Sequence, residues 1–341
     1  MRSTFTFILL LVAAACYAQQ RPLVTQYNQN NFLLNPALSG LNYGSEFRMG
    51  NRAQYNSTLE SPPQSFYMTA NFSLRAKEVP ESFGLPVRGK GAEQVLKLRK
   101  AAKERDKGYA NHHGLGIVFL YDNMAALSSN SFQVTYAYHY AIRPDLQLSA
   151  GAGLGFTTYA LNQNMLRPEE FGDAALQGIA SIILPEVSAG VWLTGKNYFL
   201  GLAGQQLAPS DWSTADKAAD LQNTVYPHIY LTGGYKVNAT KELALIPSVM
   251  VRQTKTASLA NDVTLTARYN EKYWLGGTFR IGTGISAQAG IYLLPNVLLG
   301  YSYDHTTTSL MLQSFGTHEI VVGYNVRGLM HHKIAPGKFW N

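Results

Sequence analysis

The sequence has little of three things on which many folded proteins depend: cysteine, charge and long apolar runs. It holds a single cysteine, Cys16, so no disulfide can form within the chain. Charged residues make up only 14%, against roughly 25% in soluble proteins. Beyond the first residues no apolar run reaches the about 20 residues of a membrane-spanning helix. Tyrosine (21) and glycine (30) are abundant instead, and the mean hydropathy is −0.10, which suits a surface that is apolar only at alternate residues.

The first 18 residues are predicted to be a signal peptide. Met1 and Arg2 form a short basic region, an apolar run follows from Phe5 to Ala15, and Ala18 offers a small residue for cleavage. The mature chain would then begin at Gln19 and contain no cysteine. In the alternative, Cys16 is the lipid-modified first residue of the mature protein. Export without disulfides leaves backbone hydrogen bonds and packing to stabilise the fold.

Strict alternation of polar and apolar residues recurs over stretches of about ten residues and predicts β-strands. It is clear in Ser131–Tyr140, Leu146–Thr158 and Asp262–Asn270. The polar face of each strand is therefore expected to contact water. It is either the outer face of a soluble sandwich or the lumen face of a membrane barrel. Tyrosines near strand ends, such as Tyr140 and Tyr301, favour the membrane barrel because amphipathic rings settle at membrane interfaces.

Counting such segments predicts an all-β fold, a transmembrane outer-membrane barrel of about fourteen antiparallel strands. Connections of a few residues alternate with longer ones, as between periplasmic turns and outer loops. We expect residues 19–43 to form a periplasmic or plug segment, residues 44–327 the barrel, and residues 328–341 a periplasmic tail. The expected location is the outer membrane of a Gram-negative cell.

One connection, residues 77–111, is long although it falls on the periplasmic side. It carries nine basic and five acidic residues of a chain whose formal net charge is +7. It is either a solvated loop or a docking element for an acidic periplasmic partner. Nucleic acid is excluded as a partner because the protein is exported. The basic residues proposed for docking are Lys97, Arg99, Lys100, Lys103 and Arg105.

No group of residues predicts catalysis, a cofactor or a metal site. Glycines 151, 153 and 155 lie within an alternating strand rather than ahead of a helix, so they do not form a nucleotide loop. The neighbours His112 and His113 point to opposite faces of a strand. Asp304, His305 and Ser309 lack the orienting carboxylate of a hydrolase triad. Charged residues on the polar faces are expected to pair with one another: Arg52, Arg268, Arg280, Glu186 and Glu319.

Four motifs, in order, resemble the PorP/SprF family of type IX secretion and gliding proteins of Bacteroidota. They are Thr25-Gln26-Tyr27 with Leu33-Leu34-Asn35-Pro36-Ala37 and Gly40; Arg52-Ala53-Gln54-Tyr55 with Pro62-Pro63-Gln64; Gly114-Leu115-Gly116 with Asp122-Asn123; and Gly300-Tyr301-Ser302-Tyr303-Asp304 with Gly316-Thr317-His318-Glu319-Ile320.

The resemblance implies an outer-membrane component without known catalysis. Its partners would be periplasmic secretion-ring lipoproteins or a large secreted surface adhesin used in gliding, and no small-molecule substrate is expected. Gln26, Tyr27, Asn35, Pro36 and Gly40 are carried over as candidate partner-binding residues, although a structural role is the default expectation for them. A porin-like channel, passive or substrate-specific, is the alternative function that the alternation alone would allow.

Overall fold

The computed structural model describes residues 24–42, 44–54, 62–74, 109–124, 126–162, 181–208, 210–212, 223–255, 257–294, 296–307 and 316–326. Three short 3-10 helices come first, η1 (Tyr27–Gln29), η2 (Asn31–Leu33) and η3 (Pro36–Leu38). The strands of this part of the chain are β1 (Ser45–Ala53), β2 (Gln64–Leu74), β3 (His112–Met124), β4 (Leu127–Arg143), β5 (Leu146–Leu161), β6 (Ser181–Gly195), β7 (Tyr198–Gln205), β8 (Ser210–Trp212), β9 (Asn223–Val225), β10 (His228–Tyr235), β11 (Val237–Asn238), β12 (Leu243–Thr254), β13 (Ala257–Tyr269), β14 (Tyr273–Arg280), β15 (Gly284–Leu294), β16 (Val297–Thr306) and β17 (Thr317–Val326).

Fourteen strand positions close into one antiparallel barrel. Strands β1 to β7 pair in sequence, β7 pairs with β10, β10 with β12, and β12 to β17 again in sequence, before β17 closes on β1. Strands β10 and β11 share one position because both pair with β12. Their break lies opposite Pro247, which has no N–H to donate to the ladder. The prediction of about fourteen strands in a transmembrane barrel is confirmed.

The two ends of the barrel differ in their connections. We call one the tight-turn end, because it carries turns of two to four residues at 144–145, 196–197, 239–242, 270–272 and 295–296, and β1 begins and β17 ends there. The other, the loop end, carries the long connections 162–180, 206–227 and 307–316, the second of which contains the small β8–β9 hairpin. Three further connections at the loop end, 125–126, 255–256 and 281–283, are also short.

The two faces of the wall are those that the alternation predicts. On β4 the side chains from Phe132 to Tyr140 at even numbers are exposed, while those from Ser131 to His139 at odd numbers are buried in the lumen. Exposed tyrosines circle the tight-turn end, as expected at a membrane interface; they are Tyr140, Tyr198, Tyr235, Tyr269, Tyr273 and Tyr324. No helix among the described residues is long and apolar enough to cross a membrane.

Residues 24–42, which we call the lumen segment, lie inside the barrel. They contain η1 to η3 and contact wall residues on at least twelve of the described strands, from β1 to β17. Their apolar side chains join inward-facing ones of the wall in the main buried cluster. The members from the segment are Val24, Phe32, Leu33, Ala37, Leu38 and Leu41, and those from the wall include Tyr67, Val118, Trp192 and Phe199.

Candidate functional site in the occupied lumen

A cluster of charged side chains holds the start of the lumen segment at the loop end. Glu319 of β17 is fully buried and accepts hydrogen bonds from the backbone N–H groups of Thr25 (2.8 Å) and Gln26 (3.2 Å). Arg52 of β1 lies 3.2 Å from Glu319 and 2.6 Å from Asp304 of β16. The hydroxyl of Thr25 donates to Asp304 (2.6 Å) and accepts from Arg52 (2.7 Å). We call this group the loop-end clamp.

Further charges continue the loop-end clamp across the lumen. Arg280 of β14 bonds both carboxylate oxygens of Asp262 at 3.2 Å and lies 3.7 Å from Asp304. On the opposite side of the barrel, Glu186 of β6 accepts hydrogen bonds from the hydroxyls of Ser131 and Thr157. Buried charges need such partners, since an isolated one would cost several kcal/mol. The lumen charges therefore serve structure, as the sequence predicts for Arg52, Arg280 and Glu319.

Hydrogen bonds of single polar side chains fix the middle of the lumen segment. The Tyr27 hydroxyl lies 3.3 Å from that of Thr264 on β13. Asn30 donates to Thr69 of β2 at 3.1 Å. Gln205 of β7 donates to the carbonyls of residues 33 and 34, each at 2.9 Å. The segment thus binds strands on opposite sides of the barrel.

Asn35 and Pro36 form the start of η3 and attach it to the wall. The Asn35 side chain accepts the Ala37 N–H at 2.9 Å, an N-cap bond, and Pro36 suits the first helical position because it needs no donor there. The Asn35 amide also donates to the carbonyls of Val191 (3.1 Å) on β6 and Leu202 (3.4 Å) on β7. These two residues are register partners, so one side chain bridges adjacent strands.

Inward-facing glycines make room for the backbone of the lumen segment. A Cβ on Gly114 would overlap the Ser39 carbonyl, and one on Gly151 would lie 2.6 Å from the Pro36 carbonyl. Gly40 has a φ of 64° and touches the backbone of β2 and β3, so both its conformation and its surroundings require glycine. The wall glycines therefore leave the space that the backbone of the lumen segment occupies.

Two histidines hold the end of the lumen segment at the tight-turn end. The rings of His112 and His139 stack with centroids 4.2 Å apart. Nε2 of His112 lies 3.0 Å from the Gly40 carbonyl, and Nε2 of His139 lies 2.8 Å from that of Ser39. His113, the sequence neighbour of His112, faces outward and bonds the Tyr136 hydroxyl, which confirms that the pair divides between the two faces.

A small cavity beside the lumen segment has the size for water. A cavity of about 20 Å³ lies between the segment and β1, β2 and β6, lined by residues such as Gln29, Arg48, Asn71 and Trp192. A water molecule needs about 10–15 Å³ by this measure. In the described part of the chain no three or more His, Cys, Asp or Glu side chains come together as a metal site would require. Asp304 pairs with Arg52, and Ser309, the third residue considered for a hydrolase triad, lies outside the described residues.

The candidate partner-binding residues of the sequence fall into two sets. Gln26, Tyr27, Asn35, Pro36 and Gly40 lie together in the lumen segment, buried against the wall. Lys97, Arg99, Lys100, Lys103 and Arg105 lie outside the described residues. Sequence reasoning did not identify the wall side of the site, which consists of Asp304, Asp262, His139 and the inward-facing glycines. The sequence marks them only as polar or small residues at inward positions, and the lumen of any barrel would show the same pattern.

Fold and lumen define an outer-membrane β-barrel closed by its own chain. The profile of the family described as type IX secretion system membrane protein PorP/SprF matches residues 16–324. The protein therefore belongs to the PorP/SprF family, and its location is the outer membrane. No curated protein matches the sequence.

Solved structures of other outer-membrane proteins resemble the fold at low sequence identity. The CymD monoaromatic hydrocarbon channel superposes with a TM-score of 0.50 at 11% identity, over 92% of this chain and 95% of CymD. The toluene transporter TbuX of Ralstonia pickettii gives 0.47 at 11% identity, over 88% and 93% of the two chains. Omp33 of Acinetobacter baumannii gives 0.45 at 11% identity, over 84% and 100%. The similarity to CymD reflects the barrel fold alone.

Proposed function

We propose that this PorP/SprF barrel is a non-enzymatic component of the type IX secretion and gliding machinery. It would help to anchor or export surface proteins by binding machinery partners at the ends of a closed barrel. The partners are periplasmic secretion-ring lipoproteins or a large secreted surface adhesin. The observation that carries the proposal is the occupied lumen, because a barrel filled by its own chain offers its ends, rather than its interior, to other molecules.

The free energy gained by burying the apolar side chains of the lumen segment supports a lumen that stays closed. Val24, Phe32, Leu33, Leu38 and Leu41 are all at most 7% exposed. Burying such side chains contributes about 1.5–3 kcal/mol each, hence roughly 8–15 kcal/mol for the five as an upper estimate. Since about 1.4 kcal/mol is a factor of ten, the low end of this range corresponds to roughly one molecule in 10⁵ with the segment withdrawn.

A porin-like channel is the alternative function, and conductance separates the two. The polar inner face and a strand number between the filled eight-stranded and the open sixteen-stranded barrels would suit a pore once the segment is removed. Purified protein in planar bilayers should nevertheless show no steady conductance. Stable open steps of the full chain, at the size expected for an empty fourteen-stranded lumen, would favour the channel.

The charged connection 77–111 is the proposed docking element for the periplasmic partner. Its flanking residues Leu74, which ends β2, and Tyr109, ahead of β3, both lie at the tight-turn end. Its five basic residues from Lys97 to Arg105, within nine positions, attract an acidic surface over a Debye length of about 8 Å at physiological salt. A long connection alone would not require a function, because loop closure costs little extra entropy as length grows.

Affinity purification from the native envelope tests the proposal. We expect secretion-ring lipoproteins or an adhesin to co-purify with the full chain. Deleting residues 80–108 should leave the barrel inserted but reduce recovery of the periplasmic partner and its salt sensitivity. A matched variant with glutamine at Lys97, Arg99, Lys100, Lys103 and Arg105 keeps the length and separates charge from the loop itself. Equal recovery with all three proteins would refute docking through this connection.

A further inference from the structure

The lumen segment starts at one end of the barrel and finishes at the other. Its first contacts are with Arg52, Asp304 and Glu319, which stand next to the loop-end limits of β1, β16 and β17. Its last contacts are with His112, the first residue of β3 at the tight-turn end, and with Glu46 near the start of β1, which accepts from the Asn42 amide at 3.1 Å. The segment therefore crosses the barrel in the same direction as β2.

The height of the crossing follows from strand geometry. From Ser45 at the tight-turn end to Arg52 the chain advances about 23 Å along β1 at 3.3 Å per residue. With a strand tilt of about 40°, this is about 18 Å across a membrane whose apolar band on the barrel is about 25 Å tall. Thr25, bonded to Arg52, thus lies in the third of the lumen nearest the loop end.

Among the described residues, the lumen segment itself fills the space between Thr25 and the tight-turn end. Its residues Gln29, Phe32 and Ala37 are at most 6% exposed. A cavity of about 20 Å³ beside them holds only a water or two, far less than a strand of polypeptide needs. This filling points the chain ahead of Val24 toward the loop end.

We propose that the chain enters its lumen from the cell exterior, so that its amino-terminal side and the end of β17 lie on opposite sides of the outer membrane. Bacterial barrels have short turns on the periplasmic side and long connections on the outer side. Apart from residues 75–111, every connection at the tight-turn end is short, which makes the loop end the outer end. The lumen segment is then a fifteenth crossing that joins the two faces covalently. This changes the expectation that the residues ahead of the barrel are periplasmic, and it does not depend on which machinery partner binds.

Cysteine labelling on intact cells tests this topology. The change Gln20→Cys is made in the full chain, and an impermeant maleimide is applied before and after the outer membrane is permeabilised. Thr283→Cys, in an exposed loop-end turn, and Lys196→Cys, in an exposed tight turn, are the matched controls. The unchanged chain gives the background, and the intact mass shows that the new cysteine is retained.

Labelling of Gln20→Cys on intact cells, within about threefold of the rate for Thr283→Cys, is the expected result. By contrast, Lys196→Cys should react only after permeabilisation. If Gln20→Cys instead behaves like Lys196→Cys, the chain enters from the periplasm and the proposal is wrong. Protection of Gln20→Cys in both conditions would also overturn it, because the residue would then be enclosed rather than outside.

Discussion

Replacing Glu319 should show how strongly the loop-end clamp holds the barrel together. Its side chain is fully buried and is the common acceptor for Thr25, Gln26 and Arg52. In Glu319→Ala these donors lose their acceptor, and Arg52 keeps only Asp304 as a charged partner at 2.6 Å. Removing one member of a buried ion pair costs about 3–5 kcal/mol, so we expect the free energy of unfolding to fall by that amount.

Two further variants separate charge from hydrogen bonding. Glu319→Gln keeps one acceptor oxygen but removes the charge, and should cost about 1.5–3 kcal/mol, the range for a hydrogen bond to a charged group. Replacing both partners by apolar residues, as Arg52→Met with Glu319→Leu, leaves no unpaired charge between them. It should therefore recover part of the loss, as seen when buried ion pairs are replaced together.

Urea unfolding from lipid vesicles, followed by the fluorescence of the buried Trp192 and Trp274, measures these differences. Glu242→Ala is the control because this carboxylate is exposed in a tight turn, where a change should stay within about 0.5 kcal/mol. A loss below about 1 kcal/mol in Glu319→Ala would refute the reasoning. So would a double variant as unstable as the sum of Glu319→Leu and Arg52→Met, since the two residues would then be independent.

Three more changes test the remaining contacts of the wall. Asn35→Ala should lower stability by about 1–2 kcal/mol through loss of the N-cap, with faster hydrogen exchange confined to the β6–β7 pair that the amide bridges. Gly114→Ala should prevent the lumen segment from seating, as heat-modifiability and trypsin resistance would show, whereas Gly277→Ala, with its nearest neighbour at 3.9 Å, should behave as wild type. Leu265→Arg, at an outward position that is 53% exposed, should cost about 2–4 kcal/mol in vesicle folding if it lies at the bilayer midplane, and an unchanged unfolding midpoint would mean that this face does not meet lipid.

Local sequence pattern was sufficient for the wall of the barrel. A strand side chain alternates between the faces with a period of two, so one polar and one apolar face can be read without any distant contact. This is why the faces of Ser131–Tyr140 and Asp262–Asn270 and the closed fourteen-strand architecture could be predicted. The break between β10 and β11 also has a local cause, in Pro247.

The lumen contents could not be predicted in this way, because their contacts join residues far apart in sequence. Thr25 meets Glu319 across 294 positions, and nothing in the local pattern of either residue selects the other. The surroundings of Thr266 depend on distant contacts in the same way. Alternation predicts its inward face, but not that the residue is only 4% exposed beside Gly276.

The motif at the start of the chain and the motif at its end are best understood together. Gln26 donates to the Glu319 backbone carbonyl while its own N–H reaches the Glu319 carboxylate, so two of the four motifs that carried the family resemblance bond to each other inside the barrel. Asn35, Pro36 and Gly40 likewise contact wall residues of the strands from β2 to β7. Since these residues are occupied within the molecule, we expect the proposed partner to be recognised by the chain beyond the wall, at the two ends that the lumen segment connects.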